Sequence, residues 1–99
     1  MRITEQQKQK IKQVVAALVD SDAQVILFGS RVDDTKKGGD VDLLIKLSQR
    51  VEHPAQLSAK ISAQLIRQFH GRKVDVLLLA PNLKILPIHT IAQQQGVAL

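Results

Sequence analysis

Two apolar runs of this chain carry acids where a buried strand has no use for them. In "DVDLLIKL", residues 40–47, Asp40 and Asp42 stand one residue apart, and in "KVDVLLLA", residues 73–80, Asp75 lies between Val74 and Val76. Strand side chains alternate faces with period two, so Asp40 and Asp42 share one face while Val41 and Leu43 take the other. Carboxylates placed together repel and add nothing to the fold, so something positive belongs between them. An acid inside a run as apolar as residues 73–80 is costly unless it is paired or bound to a metal.

The remaining segments read as alternating helices and strands, with no linker or repeat. Thr4 and Gln7 have the spacing of a capping box, and Ile11, Val14, Val15 and Leu18 then recur at helical spacing. This predicts a first helix ending near Ser21-Asp22. "QVILFG" is a short run rich in β-branched residues, as buried strands are, and Gly29 stops it. After the turn-prone "EHPAQ", the residues Leu57, Ile61, Leu65 and Phe69 fall at intervals of four, which predicts a second amphipathic helix closing at Gly71. Residues 73–80 form a third strand ended by Pro81. The tail "ILPIHTIAQQQGVAL" offers a short helix after Pro87 and an apolar stub, Val97 to Leu99, as an edge strand or a contact for a partner. The expected fold class is α+β, a small mixed β-sheet with helices packed mainly on one face.

Composition narrows the function. At 99 residues the chain is expected to form one domain over 1–99 with one small core, burying roughly two-thirds of the surface of its unfolded form. There is no cysteine, which excludes disulfides and thiolate metal sites and makes a reducing cytoplasm the simplest compartment. "MRITEQQKQKIKQ" is polar where a signal peptide needs an apolar core, and no apolar run has the length of a membrane span. The expectation is a soluble, cytoplasmic protein without membrane contact.

A net charge of +5 invites a nucleic-acid reading, because basic residues bound to phosphates release counterions. The pattern argues against it. Lys8, Lys10 and Lys12, Lys36 and Lys37, and Arg67, Arg72 and Lys73 are spread along the chain as solvated helix faces and loop tips are. Phe28 and Phe69 are the only aromatics, and both sit inside apolar patterns, leaving no platform on which bases could stack. Direct nucleic-acid binding is not expected.

The candidate chemistry then assembles around the acids. Gly29-Ser30 ends a strand, where freed backbone N–H groups can cradle an anion and glycine allows close approach, with phosphate the natural guest. Asp40 and Asp42 follow ten residues later, and Asp75 comes from the next strand. Three carboxylates from two adjacent strands make a hard oxygen site suited to Mg²⁺ bridged to a triphosphate. Plainer readings stand beside these. Gly29-Ser30 is also what an ordinary turn looks like, Asp33 and Asp34 read as loop solvation, and Lys36 and Lys37 read as loop solvation or as charges a triphosphate could recruit. Arg31 is either a surface charge or a phosphate contact. His53, His70 and His89 lack metal-ligand spacing and suit capping or surface roles.

The order of an apolar strand, Gly-Ser, nine loop residues, Asp-Val-Asp and a lone Asp in a third strand resembles the nucleotidyltransferase fold of the DNA polymerase beta superfamily. It is similar in particular to the minimal nucleotidyltransferases (MNT) encoded beside HEPN-domain proteins as toxin-antitoxin pairs, and the terminal "IHTIAQQQGVAL" resembles their ending. The resemblance implies that Gly29 and Ser30 hold nucleotide phosphates, that Asp40 and Asp42 ligate the metals, and that Asp75 completes the site and prepares the attacking hydroxyl. Gly39 departs from relatives that have a polar residue there. What is implied is a Mg²⁺-dependent (or Mn²⁺-dependent) enzyme that uses ATP and acts as an antitoxin by moving AMP to a tyrosine of a HEPN-domain toxin. The sequence has no tyrosine of its own and no residues to spare for an acceptor domain, so the acceptor is expected on a partner. The alternatives are an antitoxin that neutralises by binding alone, and a transferase acting on a small molecule or a nucleic-acid end.

Overall fold

The computed structural model describes residues 3–29 and 40–99. Helix α1 (Glu5–Leu18) begins with the capping box that the sequence indicates. The Gln7 amide donates to Thr4 Oγ1 at 3.0 Å and the Thr4 amide donates to Gln7 Oε1 at 2.8 Å, satisfying two end-of-helix donors reciprocally. The helix stops earlier than Ser21. Asp20 Oδ1 accepts from the Asp22 amide at 2.8 Å, so the chain turns locally instead of continuing the helical ladder.

Strands β1 (Gln24–Phe28) and β2 (Val41–Lys46) pair antiparallel, with Phe28 opposite Asp42. Helix α2 (Pro54–Leu65) follows, and its last predicted turn tightens into a 3₁₀ segment, Ile66–Phe69. His70 and Gly71 then take left-handed backbone conformations (φ 57° and 80°) and end it. Phe69 keeps its place at the fourth interval and is buried.

Strand β3 (Val74–Leu79) lies parallel to β2, the arrangement a helical crossover permits. Ser62 Oγ in α2 donates to the Val74 carbonyl at 2.6 Å and ties the crossover helix to the start of that strand. Helix α3 (Pro87–Gln95) leads into β4 (Val97–Ala98), which pairs antiparallel with β1. The four-stranded sheet runs β3-β2-β1-β4, so the terminal stub is an edge strand.

Period two sets the two faces of the sheet. Val25, Leu27, Val41, Leu43, Ile45, Val74 and Leu78 join Ile11, Val14, Val15, Ile61, Leu65 and Phe69 in the main core. The two longer helices therefore cover one face. On the other face Leu44 and Leu79 are buried with Ala92 of α3, and Ile26, Phe28 and Leu77 pack around them. Among the described residues no helix is long and apolar enough to cross a membrane.

Candidate active site

Val41, Leu43 and Ile45 are fully buried, so packing pins the register of β2 and turns Asp42 to the opposite face. In the parallel pairing of β2 with β3, Asp42 stands directly opposite Asp75. Asp40 lies just before β2 and is exposed. Burial is the first cause that raises the Asp42 pKa above the ordinary carboxylate value, followed by the charges of Asp75 and Asp40; Lys73 pulls it partly back. Negative charge is thus crowded at this point of the sheet and only partly offset.

Gly29, at the end of β1, has φ 78°. A Cβ there would collide with Asp42 Oδ2 and stand 3.2 Å from Asp42 Cγ. Glycine is therefore required twice, by its backbone conformation and by the carboxylate beside it. Sequence reasoning assigned it to close approach by phosphate; the structure adds that it makes room for Asp42. Ser30, Arg31, Asp33, Asp34, Lys36, Lys37 and Gly39 lie outside the described residues.

Two side chains take places that the sequence did not suggest. Asp75 is less costly than its apolar neighbours imply, because β3 is an edge strand and the side chain is 46% exposed. Its partner is Lys73, whose Nζ lies 3.3 Å from Asp75 Oδ1. Spacing of two in a strand was the available signal, since it puts both on one face. His89 takes the capping role expected of it, Nδ1 accepting from the Leu86 amide at 2.8 Å at the start of α3, but does so buried, and its Nε2 donates to the Leu78 carbonyl at 3.0 Å. It fastens α3 to β3 and is spoken for on both nitrogens. His53 and His70 are exposed at helix ends, as expected.

The order of strands, the paired acids and the glycine against them all fit the expected fold, and the family comparison decides the matter. The family model described as "nucleotidyltransferase domain" matches residues 8–94. The chain belongs to this family. No curated protein shows significant similarity to it. The chemistry of a nucleotidyltransferase domain is transfer of a nucleotidyl group, typically from a nucleoside triphosphate with a divalent metal.

Among the described residues no three His, Cys, Asp or Glu side chains are gathered closely enough to form a ready metal cluster. The donors nevertheless fit such an ion in kind and in charge. They are carboxylate oxygens, which hard cations prefer, and Asp42 carries the crowding that a cation relieves. Of these carboxylates the fold brings Asp42 and Asp75 level on neighbouring strands, with Asp40 just before β2. A separate cavity of about 700 Å³ lies on the far edge, between α1 and β4, lined by Lys12, Val15, Asp20, Asp22, Val25 and Leu99 among others. None of the three acids lines it, and the chemistry argues for the acids.

Proposed function

We propose that this nucleotidyltransferase domain is the antitoxin of a HEPN-domain toxin, moving AMP from ATP to a tyrosine hydroxyl of that partner in the cytoplasm. The observation that carries the chemical part is the registered pair of Asp42 and Asp75 with Gly29 against it. A divalent cation at Asp40, Asp42 and Asp75, Mg²⁺ or Mn²⁺, supplies charge neutralisation at the phosphates when bound. Asp75 is half-exposed at the sheet edge, where an acceptor hydroxyl carried by another molecule can reach it. It accepts the hydroxyl proton, the acceptor oxygen bonds to the α-phosphorus, the bond to the β-phosphate oxygen breaks, and pyrophosphate leaves. Gly29 and Ser30 hold the phosphates. The 99 residues contain no tyrosine, which supports reading the acceptor as one carried by a partner.

A second reading rests on its own observation. Ile85, Leu86, Ile88, Ile91 and Val97, on and around α3, are exposed apolar residues, and a partner held there could be neutralised without chemistry. Intact mass separates the two. Incubated with ATP, Mg²⁺ and a HEPN-domain toxin, the protein should add one or more AMP units to the toxin. The gain should vanish with Asp75→Asn and with the toxin's acceptor tyrosine changed to Phe. A tight complex with no mass gain, formed equally well by Asp75→Asn, would establish the binding-only reading.

A further inference from the structure

Lys73 occupies a position that a merely solvated lysine does not need. The Val41 amide donates to the Lys73 carbonyl at 3.0 Å, and the register of Val41 with Val74 sets Lys73 level with Asp40 on the neighbouring strand. Its Nζ reaches Asp75 Oδ1 at 3.3 Å. Among the described residues it is also the cation whose charge acts on Asp42. One ammonium is thus paired with Asp75 and acts on Asp42, on a side chain that is 69% exposed and whose backbone lies level with Asp40. A lysine is a compact charge on a flexible four-carbon stem, so it can change partner without moving the backbone.

We propose that Lys73 is a charge-exchange residue of this site: it neutralises Asp75 when the acids hold no cation, and turns to a nucleotide phosphate when they do. The inference rests on the reading that Asp40, Asp42 and Asp75 hold a divalent cation and a nucleotide. Two consequences of opposite sign follow. Lys73 competes with a divalent cation, so removing it should tighten binding of the cation alone. It also attracts phosphate, so removing it should weaken nucleotide binding to the cation-loaded protein. A residue needed only for folding would not move the two affinities in opposite directions.

The test titrates Mn²⁺ alone, followed by free-Mn²⁺ electron paramagnetic resonance, and then a non-hydrolysable ATP analogue at saturating Mn²⁺, followed by calorimetry. For Lys73→Met we expect Mn²⁺ to bind about two- to five-fold tighter and the analogue about two- to five-fold weaker, the range of a partly exposed ion pair. Lys73→Arg should restore both values toward the parent. If the parent binds Mn²⁺ and the analogue but Lys73→Met leaves either affinity unchanged, or moves both the same way, the proposal is overturned. If the parent itself binds neither, the underlying metal-nucleotide reading fails, and the inference fails with it. Thermal melting of both variants without ligand checks that this exposed position leaves the fold intact.

Discussion

The two faces of the sheet were built by opposite rules. The face under α1 and α2 is apolar from end to end: Val25 and Leu27 of β1, Val41, Leu43 and Ile45 of β2, and Val74 and Leu78 of β3 meet the helices in one continuous core. The other face is divided. Toward the end of β2, Leu44 and Leu79 are buried with Ala92 of α3, whereas at its beginning Asp42 and Asp75 stand side by side, outside both apolar clusters of the described residues. The charged pair contributes nothing to holding itself together. It is positioned by the opposite face, because slipping β2 by one residue would bury Asp42 and expose Val41, Leu43 and Ile45.

Leu43→Ala should therefore be the most damaging of the changes considered. Leu43 is fully buried in the main core, and its truncation should cost about 2 to 5 kcal/mol in urea unfolding. Leu44→Ala, one residue on and also fully buried, should cost less, because it empties a cluster of three buried residues that a short helix can close over. Equal losses at the two positions would break the contrast and make α3 part of a single core.

Gly29→Ala comes next and probes the divided face from its other strand. A left-handed backbone costs a non-glycine residue about 1 to 2 kcal/mol, and the new Cβ must displace the Asp42 carboxylate. We expect a melting temperature lowered by about 4 to 16 °C, at about 4 to 8 °C for each kcal/mol in a chain of this size. Stabilisation by ATP with Mg²⁺ should be lost as well. A variant that melted lower but kept the full nucleotide shift would separate Gly29 from the site and leave it as a turn residue only.

Much of this contrast was legible in the sequence, and the illegible parts have physical causes. The capping box at Thr4, the four-residue interval from Leu57 to Phe69 and the Asp-Val-Asp alternation each depend on local periodicity, and each appears where expected. The end of α1 depended on an Asp20 side chain competing for a backbone amide, which periodicity does not register. Strand order was equally silent. Only when β3 is known to be an edge does Asp75 become tolerable there, half-exposed and paired with Lys73. His89 offered no sequence signal for burial, since its two bonds join segments that meet only in the folded chain. Ser30 and Arg31 lie outside the described residues, so of the proposed phosphate contacts only Gly29 is described.

The smallest expected effect has the opposite sign and bears most directly on the divided face. The folded protein holds the Asp42 proton more tightly than the unfolded chain does, where the ordinary value is 3.8. Ionising Asp42 in the native state therefore opposes folding. The extra stability of the protonated form is fully present below 3.8 and is lost as the pH rises through the raised native value. Asp42→Asn removes that charge. At pH 7 the variant should melt no lower than the parent, and any advantage should shrink as the pH falls toward 3.8. The gain is small because the side chain is only partly buried and Lys73 already offsets some of the crowding. The stabilisation by ATP with Mg²⁺, which scales with the logarithm of ligand over dissociation constant, should largely disappear in the same variant. A melting curve at pH 7 clearly below the parent's would show that the Asp42 charge is held favourably, with Lys73 outweighing Asp40 and Asp75. The divided face would then owe part of its stability to its charges, and the contrast with the apolar face would have to be withdrawn.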